Sequence, residues 1–106
     1  TCFAGVPQGG ECSIMLGDAS SVLDATDDAV AEALAGLNGE PPAGVLVFDC
    51  IARKGVLGNG VVDEVERIAT AVGRAPVAGF YTYGEIARTS GSSGFHNQTL
   101  VVMAVG

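Results

Sequence analysis

Residues 77–105, VAGFYTYGEIARTSGSSGFHNQTLVVMAV, decide the fold. They read as two strands joined by a loop over residues 87–95 that is rich in glycine and serine. A connection that short makes the two strands antiparallel neighbours. Within the first strand, Tyr81, Tyr83 and Glu85 are spaced by two, which puts them on one face, with Phe80, Thr82 and Ile86 turned the other way. His96, the only histidine of the chain, opens the returning strand.

Upstream, GVLVFDCIA over residues 44–52 is a nearly unbroken apolar run of strand length. Such a run predicts a central strand covered on both faces. Asp49 interrupts it near its end, where a polar residue is as readily functional as it is a cap for the next turn. The glycines of residues 55–60 predict a flexible turn that matches no phosphate-binding loop. A helix over residues 61–72 follows, with Val61, Val65, Ile68, Ala69 and Val72 as its buried stripe, acids in its first half and Gly73 as its stop.

Further upstream, a helix over residues 20–37 carries the stripe Leu23, Thr26, Val30, Ala33, Leu34 and Leu37. Ser20 or Ser21 is its expected cap, with Asp24 three after Ser21. Asn38-Gly39 supplies a left-handed stop, and Pro41-Pro42 forbids continuation. Asp27 and Asp28 read as a solvated helix face rather than a metal site. Residues 11–16 read as a first strand, with Cys12, Ile14 and Leu16 on one face. The expected order is β-α-β-α-β-β in a single domain over residues 1–106. This is an α+β two-layer sandwich: two helices against a four-stranded mixed or antiparallel sheet ending in a β-hairpin.

Twelve acidic and five basic residues give a net charge of −7. Phosphate backbones and anionic membranes need clustered cations, so neither is an expected partner. No apolar run is long enough for a transmembrane helix, and no signal-peptide pattern opens the chain. Cys2, Cys12 and Cys50 fit no zinc or redox spacing. The odd number suits free thiols in a reducing cytoplasm, with Cys12 and Cys50 buried in strands and a Cys2–Cys12 bridge confined to an exported protein. No metal or cofactor is expected.

VLVFDCIARKGVLG (residues 45–58), PVAGFYTYGEI (residues 76–86) and FHNQTLVVMAV (residues 95–105) together resemble the C-terminal domain of the FIST family, a group of intracellular sensory and signal-transduction proteins. VPQGGECSIMLGD, residues 6–18, is similar to the strand that leads into that domain's first helix. The resemblance implies the later part of the domain, without its first strands. It implies sensing of a small ligand, with amino acids or their derivatives as the class. The implied partners are a FIST N-terminal domain or a signalling output domain, and no catalytic residue is implied.

The positions matching the family pattern are Cys50, Arg53, Tyr81, Tyr83, Gly84, Glu85, His96, Asn97 and Thr99. An amino-acid ligand is a zwitterion. Arg53 suits its carboxylate. Glu85, flanked by Tyr81 and Tyr83, suits its ammonium, and His96 and Asn97 offer directional hydrogen bonds. The same residues also have structural uses: tyrosines packed under a helix, Glu85 paired with Arg53 or Arg88, and a hairpin closed by His96 and Asn97. Two other readings stand beside ligand sensing. One is a protein-interaction or dimerisation module without ligand. The other is a cysteine-dependent enzyme using Cys50, His96 and Glu85, against which the buried setting of Cys50 counts.

Overall fold

The computed structural model describes residues 5–14, 16–88, 93–96 and 98–106. The elements run α1 (Ala19–Ala35), β1 (Gly44–Cys50), α2 (Ile51–Leu57), a 3-10 turn (Gly58–Gly60), α3 (Val61–Val72), β2 (Val77–Thr82), β3 (Glu85–Arg88), β4 (Ser93–His96) and β5 (Leu100–Val105). The fold is α+β: two long helices, α1 and α3, lie over a mixed three-stranded sheet.

β1 is the middle strand, in the order β2-β1-β5. β2 pairs with it in parallel, Val45 opposite Val77 through Cys50 opposite Thr82. β5 pairs with it antiparallel, Gly44 opposite Val105 through Asp49 opposite Leu100. The expected pairing of the last two long strands is thus corrected, since both flank β1 and neither touches the other. The hairpin is a separate ribbon, β3 with β4, placing Glu85 opposite His96. A bend at Tyr83-Gly84 breaks the expected strand, so Tyr81 and Glu85 belong to different sheets.

The period-two rule sorts the central strand. Val45, Val47 and Asp49 face the helices and are buried. They meet Val30 of α1, Ile68 and Val72 of α3, and Leu100 of β5 in one core. The opposite face is open, correcting the expectation of cover on both sides: Leu46, Phe80 and Met103 are exposed. Phe48 keeps its place there by packing edge-to-face on Phe80, with centroids 5.4 Å apart. An apolar run alone does not separate a strand covered twice from one whose second face is apolar and bare.

Asp18, not Ser20 or Ser21, caps α1. Its carboxylate accepts from the Ser21 amide at 2.8 Å, and the Ser21 hydroxyl accepts from the Asp18 amide at 3.0 Å. The bond from the Ser21 amide holds the Asp18 carboxyl below its usual range. Asp18→Ala is expected to destabilise the chain by removing this cap, read as a lower urea midpoint at unchanged slope. Asn38 and Gly39 take positive φ of 53° and 90°, as the stop signal requires. Arg67 of α3 meets Asp27 at 2.5 Å and Asp24 at 3.7 Å, so part of the acidic face is paired at the surface. Such exposed pairs contribute little.

Two more expectations are corrected. The segment expected to be a turn is mostly helical: α2 occupies residues 51–57, because Arg53 is anchored from several sides, as described below. Residues 11–14 and 16 are not a strand. Ile14 and Leu16 are 95% and 96% exposed, and Met15 lies outside the described residues. Cys12 is accordingly an exposed free thiol, while Cys50 is buried as expected. Cys2 lies outside the described residues.

Candidate functional site

The parallel register of β1 and β2 and the lie of α3 over them create a groove of about 270 Å³. Val47, Val65, Ile68 and Val77 wall it with apolar surface. Asp49, Glu64 and Tyr81 bring polar groups to it. Val65, expected in the buried stripe of α3, is instead 59% exposed along this groove. Glu64 takes the buried place on the helix at 2% exposure.

Glu64 is buried because Arg53 is beside it. Arg53, 3% exposed, enters from the first turn of α2. Its Nη2 donates to Glu64 Oε1, to Thr26 Oγ1 at 2.8 Å and to the Val22 carbonyl at 3.0 Å. Thr26, fully buried on α1, donates in turn to Glu64 Oε1 at 2.6 Å. One guanidinium thus joins α1, α2 and α3.

Asp49 completes the cluster less tightly. Its Oδ1 lies 3.0 Å from Arg53 Nε. The approach is Coulombic, because among the described residues neither atom finds an aligned hydrogen bond. Two carboxyls share one cation in a dry setting. Burial, then the Glu64 charge, pushes Asp49 up to about 7, with Arg53 opposing. Near neutrality the Asp49 carboxyl is therefore partly protonated. Tyr81 is pushed up too, by burial and then by Asp49 and Glu64. Lys54 sits beside the groove with its ammonium 5.2 Å from the Tyr81 ring centroid.

The residues singled out in the sequence do not gather in one place. Arg53 is committed to the buried cluster. Tyr81 borders the groove, but Tyr83 is 90% exposed. Glu85 is 3% exposed and accepts from the Thr82 hydroxyl, while its Oε2 has no partner among the described residues. Neither Arg53 nor Arg88 pairs with Glu85 among the described residues. His96 lies opposite Glu85 in the ribbon, and Asn97 lies outside the described residues. Glu64, Thr26 and Lys54 were missed. Glu64 looked like one of several acids suited to a helix N-terminal half. No local pattern marks it as Arg53's partner.

Among the described residues no three histidine, cysteine or acidic side chains are grouped to hold a metal, and no helix is long and apolar enough to cross a membrane. The arrangement defines a class: a small α+β module with a shallow apolar groove, closed at one end by a buried acid–base cluster. The FIST C domain family matches residues 1–88. The chain belongs to that family, a sensory and signalling domain. No curated protein and no solved structure matches it.

Proposed function

We propose that the chain is the small-ligand input domain of an intracellular signal-transduction protein, and that the α3–β2 groove takes a ligand of amino-acid type. The observation carrying this reading is the Asp49 carboxyl, which lines the groove and is held to Arg53 only by a Coulombic approach. A ligand ammonium that meets this carboxylate replaces its proton as the compensating charge. The Tyr81 ring flanks the cation, Lys54 is near enough to meet a carboxylate, and the apolar walls suit an aliphatic side chain. The volume is just under the roughly 300 Å³ at which small-molecule sites begin, which favours a ligand of this size.

Titration calorimetry against the standard amino acids tests the proposal. Heat is expected with a subset of apolar ones. Because the ammonium displaces a proton, affinity is expected to rise about tenfold per pH unit up to about 7 and then level off. Asp49→Asn is expected to lose both the binding and the pH slope. Silence with every amino acid overturns the reading.

A further inference from the structure

The α3–β2 groove is built on a free sheet edge. β2 is an outer strand in the order β2-β1-β5, and among the described residues no strand pairs with its far side. The five consecutive residues Val77 to Tyr81 line the groove. They include both strand parities, so the edge of a backbone reaches the groove as well as side chains. The Pro76 carbonyl accepts from the Val45 amide of β1 at 2.9 Å. Main-chain groups alternate sides along a strand, so those of Ala78 and Phe80 turn to β1, and those of Val77, Gly79 and Tyr81 turn outward. Resting on the ligand site proposed above, we infer that the groove takes the free N-terminus of an extended peptide, which adds a strand to the outer edge of β2.

Length separates a peptide from a free amino acid. Val77 to Tyr81 is four steps, about 13 Å of edge at the usual rise. One residue spans only about 3.3–3.6 Å. A single amino acid therefore covers one end of the groove and leaves the rest of the edge to water. The outward N–H and C=O groups of Val77, Gly79 and Tyr81 recur at every second residue, which is the spacing an added strand meets.

Charge decides which part of a peptide enters. Asp49 stands opposite Tyr81, at the far end of the groove from Val77, and its carboxyl is held to Arg53 only by a Coulombic approach. An internal strand of another protein covers the edge but brings no main-chain cation to that carboxyl. The first residue of a peptide brings an ammonium. With its ammonium at Asp49, the peptide runs from Tyr81 towards Val77. That direction is antiparallel to β2, and antiparallel pairs are the more stable kind. Val65 and Ile68, beside and one turn after Glu64 on α3, favour an apolar first side chain.

Calorimetry compares leucine, a leucyl pentapeptide amide and the same peptide N-acetylated. The peptide amide is expected to bind at least about tenfold tighter than leucine, and acetylation is expected to abolish its binding. Methylating the peptide's amide nitrogens one at a time is expected to weaken binding with a period of two, since only alternate amides face β2. Hydrogen exchange gives a second readout. The Gly79 and Tyr81 amides are expected to gain protection on binding, while those of Ala78 and Phe80, already turned to β1, stay unchanged. Heat with the peptide and none with leucine supports the added strand and removes the free amino acid as ligand. Leucine that binds as tightly as the peptide overturns the inference and leaves the amino-acid reading standing. Silence with both overturns both. An acetylated peptide that binds as well as the free one, or methyl effects without the period of two, also overturns the inference.

Discussion

Arg53→Ala is expected to be the most damaging single substitution in the chain, destabilising it by about 3–5 kcal/mol. Against a total of roughly 5–15 kcal/mol for a domain of ordinary stability, that is a large fraction of what holds the chain folded. The loss comes from what remains. Glu64 at 2% and Asp49 at 9% exposure keep their places in the core with no cation between them, and Thr26 and the Val22 carbonyl lose their donor. Replacing the whole cluster, with Arg53→Met, Glu64→Met and Asp49→Leu together, is expected to lie far closer to the native chain. A buried ion pair gains little over apolar groups of like volume. Urea denaturation of both variants measures the difference. A loss of less than about 1 kcal/mol for Arg53→Ala would mean that the guanidinium is solvated.

The second large effect is a fall in stability as pH rises. The Asp49 carboxyl titrates near 7 in the folded chain, against the ordinary 3.8 when unfolded. Between these values the folded state holds a proton that the unfolded state has released. Stability contributed by the group is full below the unfolded value and is lost as pH rises through the folded one. The steepest slope is about 1.4 kcal/mol per pH unit, so the chain is expected to melt lower at about pH 8 than at about pH 5. This is opposite in sign to a salt-bridged surface carboxylate. Asp49→Asn, which carries its own N–H donors and does not titrate, is expected to flatten the curve. A thermal midpoint that rises over the same range in the native chain would contradict the raised pKa of Asp49.

Much of the scaffold was legible because it is written in local rules. The bounds of α3, the left-handed stop at Asn38-Gly39 and the strand β1 follow from periodicity and glycine placement. The pairing of distant elements was not. Nothing near residues 77–105 shows that β1 inserts between the two strands, because the competing choices differ only in contacts made across the chain. α2 escaped notice for the same reason. Its glycine at Gly55 argues for a turn, and the anchoring of Arg53 by residues 22, 26 and 64 is invisible locally. At the site, Asp49 stood out as a polar break in an apolar run. Arg53 stood out as a partner for a ligand carboxylate, and its bond to an acid eleven residues on was not visible in the local pattern.

At Gly79, on the strand that borders the α3–β2 groove, a Cβ would run into the Val47 carbonyl of β1. Backbone, unlike the tip of a side chain, does not step aside, so position 79 admits no residue but glycine. The floor of the groove is therefore fixed by the closeness of two main chains and is closed to evolutionary tuning. A relative or engineered variant that reads a different ligand must change its fit through the side chains around that point, Val47 and Val77 on the strands or Val65 and Ala69 on α3. Ligand choice would thus drift through side chains while the spacing of the two strands at Gly79 stays unchanged.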